Sequence, residues 1–357
     1  MSLGKKLLIA IIAIVLLLPL TYTAFKIQGR TPAEKEPNFE SEEKIPVKVL
    51  ILPKFEVDEM SGDFPGEAQL YYEYYLDGAE EYEVANAAEG CTLYLKDGVA
   101  LCVLGMGKVN AALNTMAILT DSRFDFSDAY ILSTGCAGSA MDNSVMGDVF
   151  VITSAVDYDL GHHADPRDME DDTAATWFHD ADFDSAAVVH LDSDLMDRVY
   201  SLVKDIPLET TERTRDFMTR AFDGADWAVR DPKVLRGTTV TGDNYWKGRY
   251  GHANALLMTQ TYGCSDPYAT TEMEDIAIAR TAKQLGMLDR LIILRDSVNM
   301  DTFMLGATPE SLWDPEHDNS DVSNENSEEY IDIFATAREN NFIVGRTIID
   351  AILEGNL

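Results

Sequence analysis

The chain has 357 residues, 46% of them hydrophobic, and carries 62 acidic against 28 basic side chains for a formal net charge of −34. That length supplies one large domain or two modest ones with a full apolar core, and the charge repels phosphate backbones, which argues against nucleic acid as a partner. Its four cysteines, Cys91, Cys102, Cys136 and Cys264, show no CxxC spacing, which argues against a structural zinc site.

Lys5 and Lys6 precede an uncharged run from Leu7 to Phe25. Its length suits a hydrophobic helix crossing a bilayer and also a long signal-peptide core. The small-x-small cleavage pattern is poor, with Tyr22 two before Ala24, so residues 1–25 are read as an uncleaved signal anchor in preference to a signal peptide. Long domains translocate largely regardless of flanking charge. The remainder is therefore expected on the extracytoplasmic side, membrane-anchored or secreted. Residues 26–46, rich in proline and charge, read as a linker, and residues 47–357 as the globular α/β domain.

Val47–Leu52 is the first predicted strand, followed by an acidic loop that holds Glu56 and Asp58. A predicted hairpin comprises Cys91–Leu95, the turn Lys96-Asp97-Gly98 and Val99–Leu104. A Cys91–Cys102 bridge is one reading of its two cysteines, and two buried free thiols are the preferred one. Gly105-Met106-Gly107-Lys108 then opens a predicted helix over Val109–Leu119, and glycines before a helix N-terminus suit an anion. Tyr130–Leu132 and Val149–Ile152 are predicted buried strands, joined by a turn of small residues, Ser133 to Ser139, that lets a ligand approach the backbone. His162, His163 and Asp165 invite a metal reading, but adjacent residues on an extended chain point opposite ways; no metal and no cofactor is expected. Further predicted elements are a helix over Asp192–Ile206, a strand over Val234–Val240, a helix over Thr271–Leu285, a strand over Leu291–Leu294, an acidic loop over Trp313–Glu329 and an amphipathic helix over Tyr330–Leu353. Alternating strands and helices predict an α/β domain with a mixed sheet.

Several motifs then coincide in order: Gly105-Met106-Gly107-Lys108-Val109-Asn110-Ala111-Ala112, Ser133-Thr134-Gly135-Cys136-Ala137-Gly138, Gly147-Asp148-Val149, Thr241-Gly242-Asp243-Asn244-Tyr245 and Glu272-Met273-Glu274. They resemble the landmarks of the nucleoside phosphorylase and nucleosidase superfamily. Within it, Asp243 to Gly248, Glu272 to Asp275 and Leu294 to Asn299 resemble the purine nucleoside permease family. The resemblance implies a phosphorylase-type mixed sheet flanked by helices, a purine nucleoside as ligand, and a homo-oligomer as an open question. It implies that Glu274 holds the ribose hydroxyls, which a carboxylate suits because both oxygens accept hydrogen bonds. Met273 then packs on the sugar, Tyr245 stacks on the base beside Trp246, and Cys136, Ala137 and Gly138 line base and sugar.

For catalysis the resemblance implies that Arg295 orients an attacking water and that Asp58, or Glu56 as the alternative, accepts its proton. Three positions depart from the superfamily pattern: Pro53-Lys54 stands where glycine is usual, no arginine accompanies Thr134-Gly135, and Asn299 stands in place of the general-acid aspartate. An amide donates a hydrogen bond but delivers no proton, so slow turnover is the expectation. The expected function is purine nucleoside binding with cleavage of the N-glycosidic bond by water. A capture protein for nucleoside uptake and a phosphorylase are the alternatives. A transporter proper is disfavoured, because one apolar span cannot enclose a polar pathway.

Overall fold

The runs richest in Val, Ile and Leu become the middle of one ten-stranded mixed sheet. In chain order its strands are β1 (Val49–Leu52), β2 (Glu80–Glu83), β3 (Thr92–Lys96), β4 (Val99–Leu101), β5 (Tyr130–Ser139), β6 (Val149–Asp157), β7 (Val188–His190), β8 (Val234–Thr241), β9 (Tyr268–Glu272) and β10 (Leu291–Met300). The longer helices among the described residues are α1 (Lys108–Leu119), α2 (Ser193–Val203), α3 (Glu212–Ala221), α4 (Arg249–Thr261), α5 (Asp275–Gln284) and α6 (Glu328–Leu353). This computed structural model describes residues 43–357 apart from 89–90, 143, 171–174, 223–229, 308 and 310–327. The expected anchor over Leu7–Phe25, nearly all of the expected linker and most of the Trp313–Glu329 loop lie outside the described residues. Among the described residues no helix is long and apolar enough to cross a membrane.

Strand order across the sheet is β7-β6-β8-β9-β5-β1-β4-β3-β2, and β10 pairs with both β5 and β6. The pairings β5–β10, β10–β6, β6–β8, β8–β9 and β9–β5 therefore close a ring, and β1 to β4 extend from β5 as an open wing. Parallel pairs (β1 with β4 and β5, β8 with β6 and β9, β10 with β5) mix with antiparallel ones. Strands covered on both faces are apolar throughout rather than alternating. Accordingly β1, β6 and β10 are buried along their whole length. Each fully buried Val, Leu or Ile there contributes about 1.5–3 kcal/mol. Helix α6 packs on β5 and β10, and α1 packs on α5.

Three sequence expectations change. Ser133–Ser139 is strand, not turn: from Ile131 to Ala137 it pairs in parallel register with Leu291 to Ser297, so its backbone groups go to the ladder. The small side chains serve close approach instead, since a Cβ on Gly135 would lie 2.5 Å from Glu67 Oε1 and one on Gly138 would lie 2.7 Å from Asn299 Oδ1. For the same reason β10 runs on to Met300 and holds Arg295 and Asn299 on a rigid strand. The helix expected from Thr271 starts at Asp275, because the β-branched Thr270 and Thr271 continue β9. The hairpin turn is as expected, with Asp97 and Gly98 both at positive φ. Cys91 and Cys102 are buried thiols with their Sγ atoms 3.0 Å apart.

Candidate functional site

A cavity of ≈ 180 Å³ opens where β5, β9 and β10 end, bounded by the start of α5 and by the segment from Asn244 to Lys247. Nine of the residues singled out from sequence line it: Cys136, Ala137, Gly138, Tyr245, Trp246, Met273, Glu274, Arg295 and Asn299. Distant stretches meet here because a parallel register aligns β5 with β10 and an antiparallel one sets Thr271 against Gly138.

One wall is a buried, densely bonded charge network. The Arg295 guanidinium donates to Asp275 Oδ2 (2.7 Å), Cys136 O (2.9 Å), Glu272 Oε2 (2.9 Å) and Glu274 Oε2 (3.2 Å). Lys54, also buried, donates from Nζ to Ser133 Oγ (2.7 Å) and Thr134 O (2.8 Å) and lies 3.7 Å from Asp275 Oδ1. Glu272 caps α5 by accepting the backbone N–H groups of Glu274 (2.6 Å) and Asp275 (2.8 Å), the role that an acidic or hydroxyl side chain plays at a helix start. Glu274 Oε1 accepts the Gly107 N–H at 2.8 Å.

These contacts set the charges. Burial lowers the Lys54 ammonium from its ordinary value, assisted by Arg295. Burial raises Glu272, together with the Asp275 charge, to about 7, and burial likewise raises Glu274. Asp275 is equally buried, yet Arg295 and Lys54 outweigh that and hold it below the carboxylate range. Burial pushes the Cys136 thiol up to about 12, which makes it a neutral lining group and no nucleophile.

Glu56 and Asp58 are placed differently from the expectation: neither reaches the cavity wall. Glu56 is turned onto its own loop, where Oε2 accepts Ala68 N–H (2.8 Å) and Gln69 N–H (2.6 Å), and Oε1 accepts from Val57 (2.8 Å) and Gly66. Asp58 is exposed, at φ 52°. The carboxylate after β1 that does line the cavity is Glu67, buried, accepting Cys136 N–H at 2.7 Å and Lys54 N–H at 2.7 Å. The loop after β1 folds back through Gly66 to bring it in, a reversal that no strand or helix period announces. Arg338 of α6, buried 3.9 Å from Glu67 and paired with Asp296, was equally illegible.

The opposite wall is aromatic. Tyr245 is 57% exposed at the mouth and accepts Asn299 Nδ2–H at 2.8 Å on its hydroxyl. Trp246 stacks on Tyr158 at 5.0 Å and 19°. Its ring fits because Gly251 has no Cβ, which would otherwise lie 2.1 Å from the indole. Beneath them Asp301 joins the wall, bonded through Oδ2 to His252 Nδ1 (2.6 Å) and the Tyr268 hydroxyl (3.0 Å).

The helix N-terminus at Gly107-Lys108 receives the protein's own carboxylates rather than an open anion site. Besides Gly107 N–H to Glu274, Lys108 N–H donates to Asp243 Oδ1 at 2.9 Å, and Lys108 Nζ binds Asp157 (2.8 Å) and Asp159 (2.7 Å). His162 and His163 diverge, one toward Asp180 and the other toward the Tyr158 carbonyl. Among the described residues no group of three or more His, Cys, Asp or Glu side chains could hold a metal ion.

The family model described as purine nucleoside permease matches residues 46–356, and the chain belongs to that family. A Schizosaccharomyces pombe protein described as a probable purine nucleoside permease is 28% identical over 220 residues, covering 55% of this chain and 63% of that protein. The chain thus spans just under two thirds of the length of this curated relative. Among solved structures, a 5′-methylthioadenosine/S-adenosylhomocysteine nucleosidase from Neisseria meningitidis is similar at a TM-score of 0.51 and 19% identity, covering 85% of this chain and 99% of that one. A futalosine hydrolase from Helicobacter pylori gives 0.51 and 14%, with 85% and 99% covered. The fold is therefore the mixed α/β fold that these nucleosidases share.

Proposed function

We propose that this chain, as a member of the purine nucleoside permease family, binds a purine nucleoside in the cavity and hydrolyses its N-glycosidic bond. The observation that carries the reading is the pairing of two buried carboxylates, Glu274 and Glu67, on the charged wall with Tyr245 and Trp246 on the facing one. A ribose diol needs a carboxylate acceptor, and a purine needs an aromatic face. Glu274, held by Gly107 and Arg295, is the diol acceptor. Cleavage passes through an oxocarbenium-like sugar, which negative charge stabilises. Glu67 supplies that charge and takes the proton of the attacking water, in place of Glu56 and Asp58. The same carboxylates repel a phosphate dianion, which favours water over phosphate.

Arg295 acts here through others. Four of its five N–H donors go to protein acceptors, so its main part is to position Glu272, Glu274 and Asp275. That positioning role, together with the amide at Asn299, favours as a second reading a capture protein that binds nucleosides without cleaving them. Residues Leu7–Phe25 then tether either form to a membrane with the domain outside the cytoplasm. Protease applied to intact cells is expected to release the domain, and cytosolic fractionation of the full chain would remove that tether.

The purified protein incubated with adenosine, inosine and guanosine, with and without phosphate, separates the readings. Free ribose and free base are expected without phosphate. Ribose 1-phosphate, formed only with phosphate, would overturn the hydrolytic assignment, and tight binding with no cleavage would leave the capture protein.

A further inference from the structure

Asp301 is buried on the cavity wall, just beyond the end of β10 and two residues after Asn299. Its Oδ2 accepts from His252 and Tyr268, whereas its Oδ1 has no hydrogen-bond partner among the described residues although no solvent reaches it. A buried carboxylate oxygen left unbonded is costly, and each such atom in a native structure calls for an explanation, a catalytic role among them. Trp246 Nε1, buried in the same wall, is likewise without a partner among the described residues. The outer edge of His252 continues the chain: Nε2 lies 3.1 Å from Asp142 Oδ2, and the Asp142 side chain is 56% exposed. Carboxylate, imidazole and carboxylate thus run from solvent to the cavity.

We infer that Asp301, recharged through His252 and Asp142, is the general acid that protonates the departing purine, the task that Asn299 cannot perform. The inference rests on the hydrolytic reading of the cavity. In the resting site the His252 imidazolium and the Asp301 carboxylate hold one transferable proton between them. As the C1′–N9 bond breaks, its electron pair passes into the purine ring and N7 takes that proton through Asp301, which leaves His252 as neutral imidazole. Water adds to C1′ and its proton goes to Glu67. Solvent then reprotonates His252 at the edge facing Asp142. The hydrogen bond to Asp301 raises the His252 imidazole above its ordinary value, against the opposing effect of burial, and so favours the loaded form. Asn299, tied to the Tyr245 hydroxyl, keeps the part of an amide that orients ring and base.

The test exploits a substrate that needs no acid. Methylation at N7 makes the purine leave without protonation, so each nucleoside that the wild type cleaves is compared with its N7-methyl derivative. D301N is expected to slow the unmethylated nucleoside about 100-fold, the lower range for a general acid, and the N7-methyl derivative less than about 3-fold on the same scale. H252N, which preserves an amide donor toward Asp301, is expected to show the same contrast at about 10-fold, and it carries the test if thermal melting shows D301N unfolded. Equal losses on both substrates in a folded variant would overturn the acid assignment while leaving hydrolysis standing. A wild type that cleaves only the N7-methyl nucleoside would do the same. A wild type that cleaves neither would remove the hydrolytic reading and this inference with it.

Discussion

The two walls of the cavity are built on opposite principles. On the wall formed by β5, β10 and the start of α5, charges crowd together and bond one another: Arg295 reaches four acceptors, Lys54 two, and Glu272 caps a helix with the oxygen that Arg295 also uses, although Asp296 Oδ2 behind them has no partner among the described residues. On the facing wall, polar groups are fewer and two buried ones, Trp246 Nε1 and Asp301 Oδ1, have no partner among the described residues. A densely bonded network in a low-dielectric setting is rigid, since moving any member strands another. Unsatisfied groups make the second wall the adaptable one. On the proposed reading, sugar recognition falls on the rigid side, where distance to the anomeric carbon decides the chemistry, and base recognition on the other.

The largest expected effect breaks the rigid wall. R295M removes the hub and leaves Glu272, Glu274 and Asp275 buried without their cation, at a cost of about 3–5 kcal/mol. Chemical denaturation measures it, and a cost under about 1 kcal/mol would show that the charges are not interdependent. Next, E67Q is expected to lower turnover by about 100-fold or more with the fold retained. E56Q should instead lower stability by about 1.5–3 kcal/mol, because its carboxylate holds a loop, and should leave turnover within about 3-fold. Reversed outcomes would return the catalytic role to the outer loop.

E274Q sharpens the division between sugar and base. Losing a charge-assisted acceptor should weaken nucleoside binding by about 1.5–3 kcal/mol, with free purine bases little affected. Calorimetric losses equal for both ligands would detach Glu274 from the ribose. The smallest effect belongs to the adaptable wall. His252 is raised in the folded state, chiefly by its hydrogen bond to Asp301. Its contribution to stability is therefore fully present below its unfolded value of about 6.5 and is lost as pH rises through the folded value. Stability measured between these limits should fall with pH in the wild type and less in H252N. An identical slope in both would uncouple His252 from Asp301.

What the sequence exposed, and what it hid, cuts across both walls. Tyr245, Trp246, Met273, Glu274 and Asn299 were legible because each sits in a short motif whose residues stay together in space. Glu67 was not, because only the reversal through Gly66, with Glu56 bonded beneath it, carries that carboxylate to Cys136. Asp301 and His252 sit 49 positions apart with no motif around either, and their bond exists only because Gly248, at the start of α4, is hydrogen-bonded to the backbone of Asp301.

The sequence by itself determined that Val49–Leu52, Val149–Ile152 and Leu291–Leu294 are core strands, since continuous apolar runs cannot be solvated. It also determined the family, through motifs in fixed order. Only the tertiary structure decided that Ser133–Ser139 is strand rather than turn and that Gly107 binds Glu274 rather than a foreign anion. It likewise decided which carboxylate after β1 faces the cavity. The physical reason is common to all three. A backbone group or a charge takes whichever partner the completed fold brings within about 3 Å, and that partner can lie anywhere in the chain.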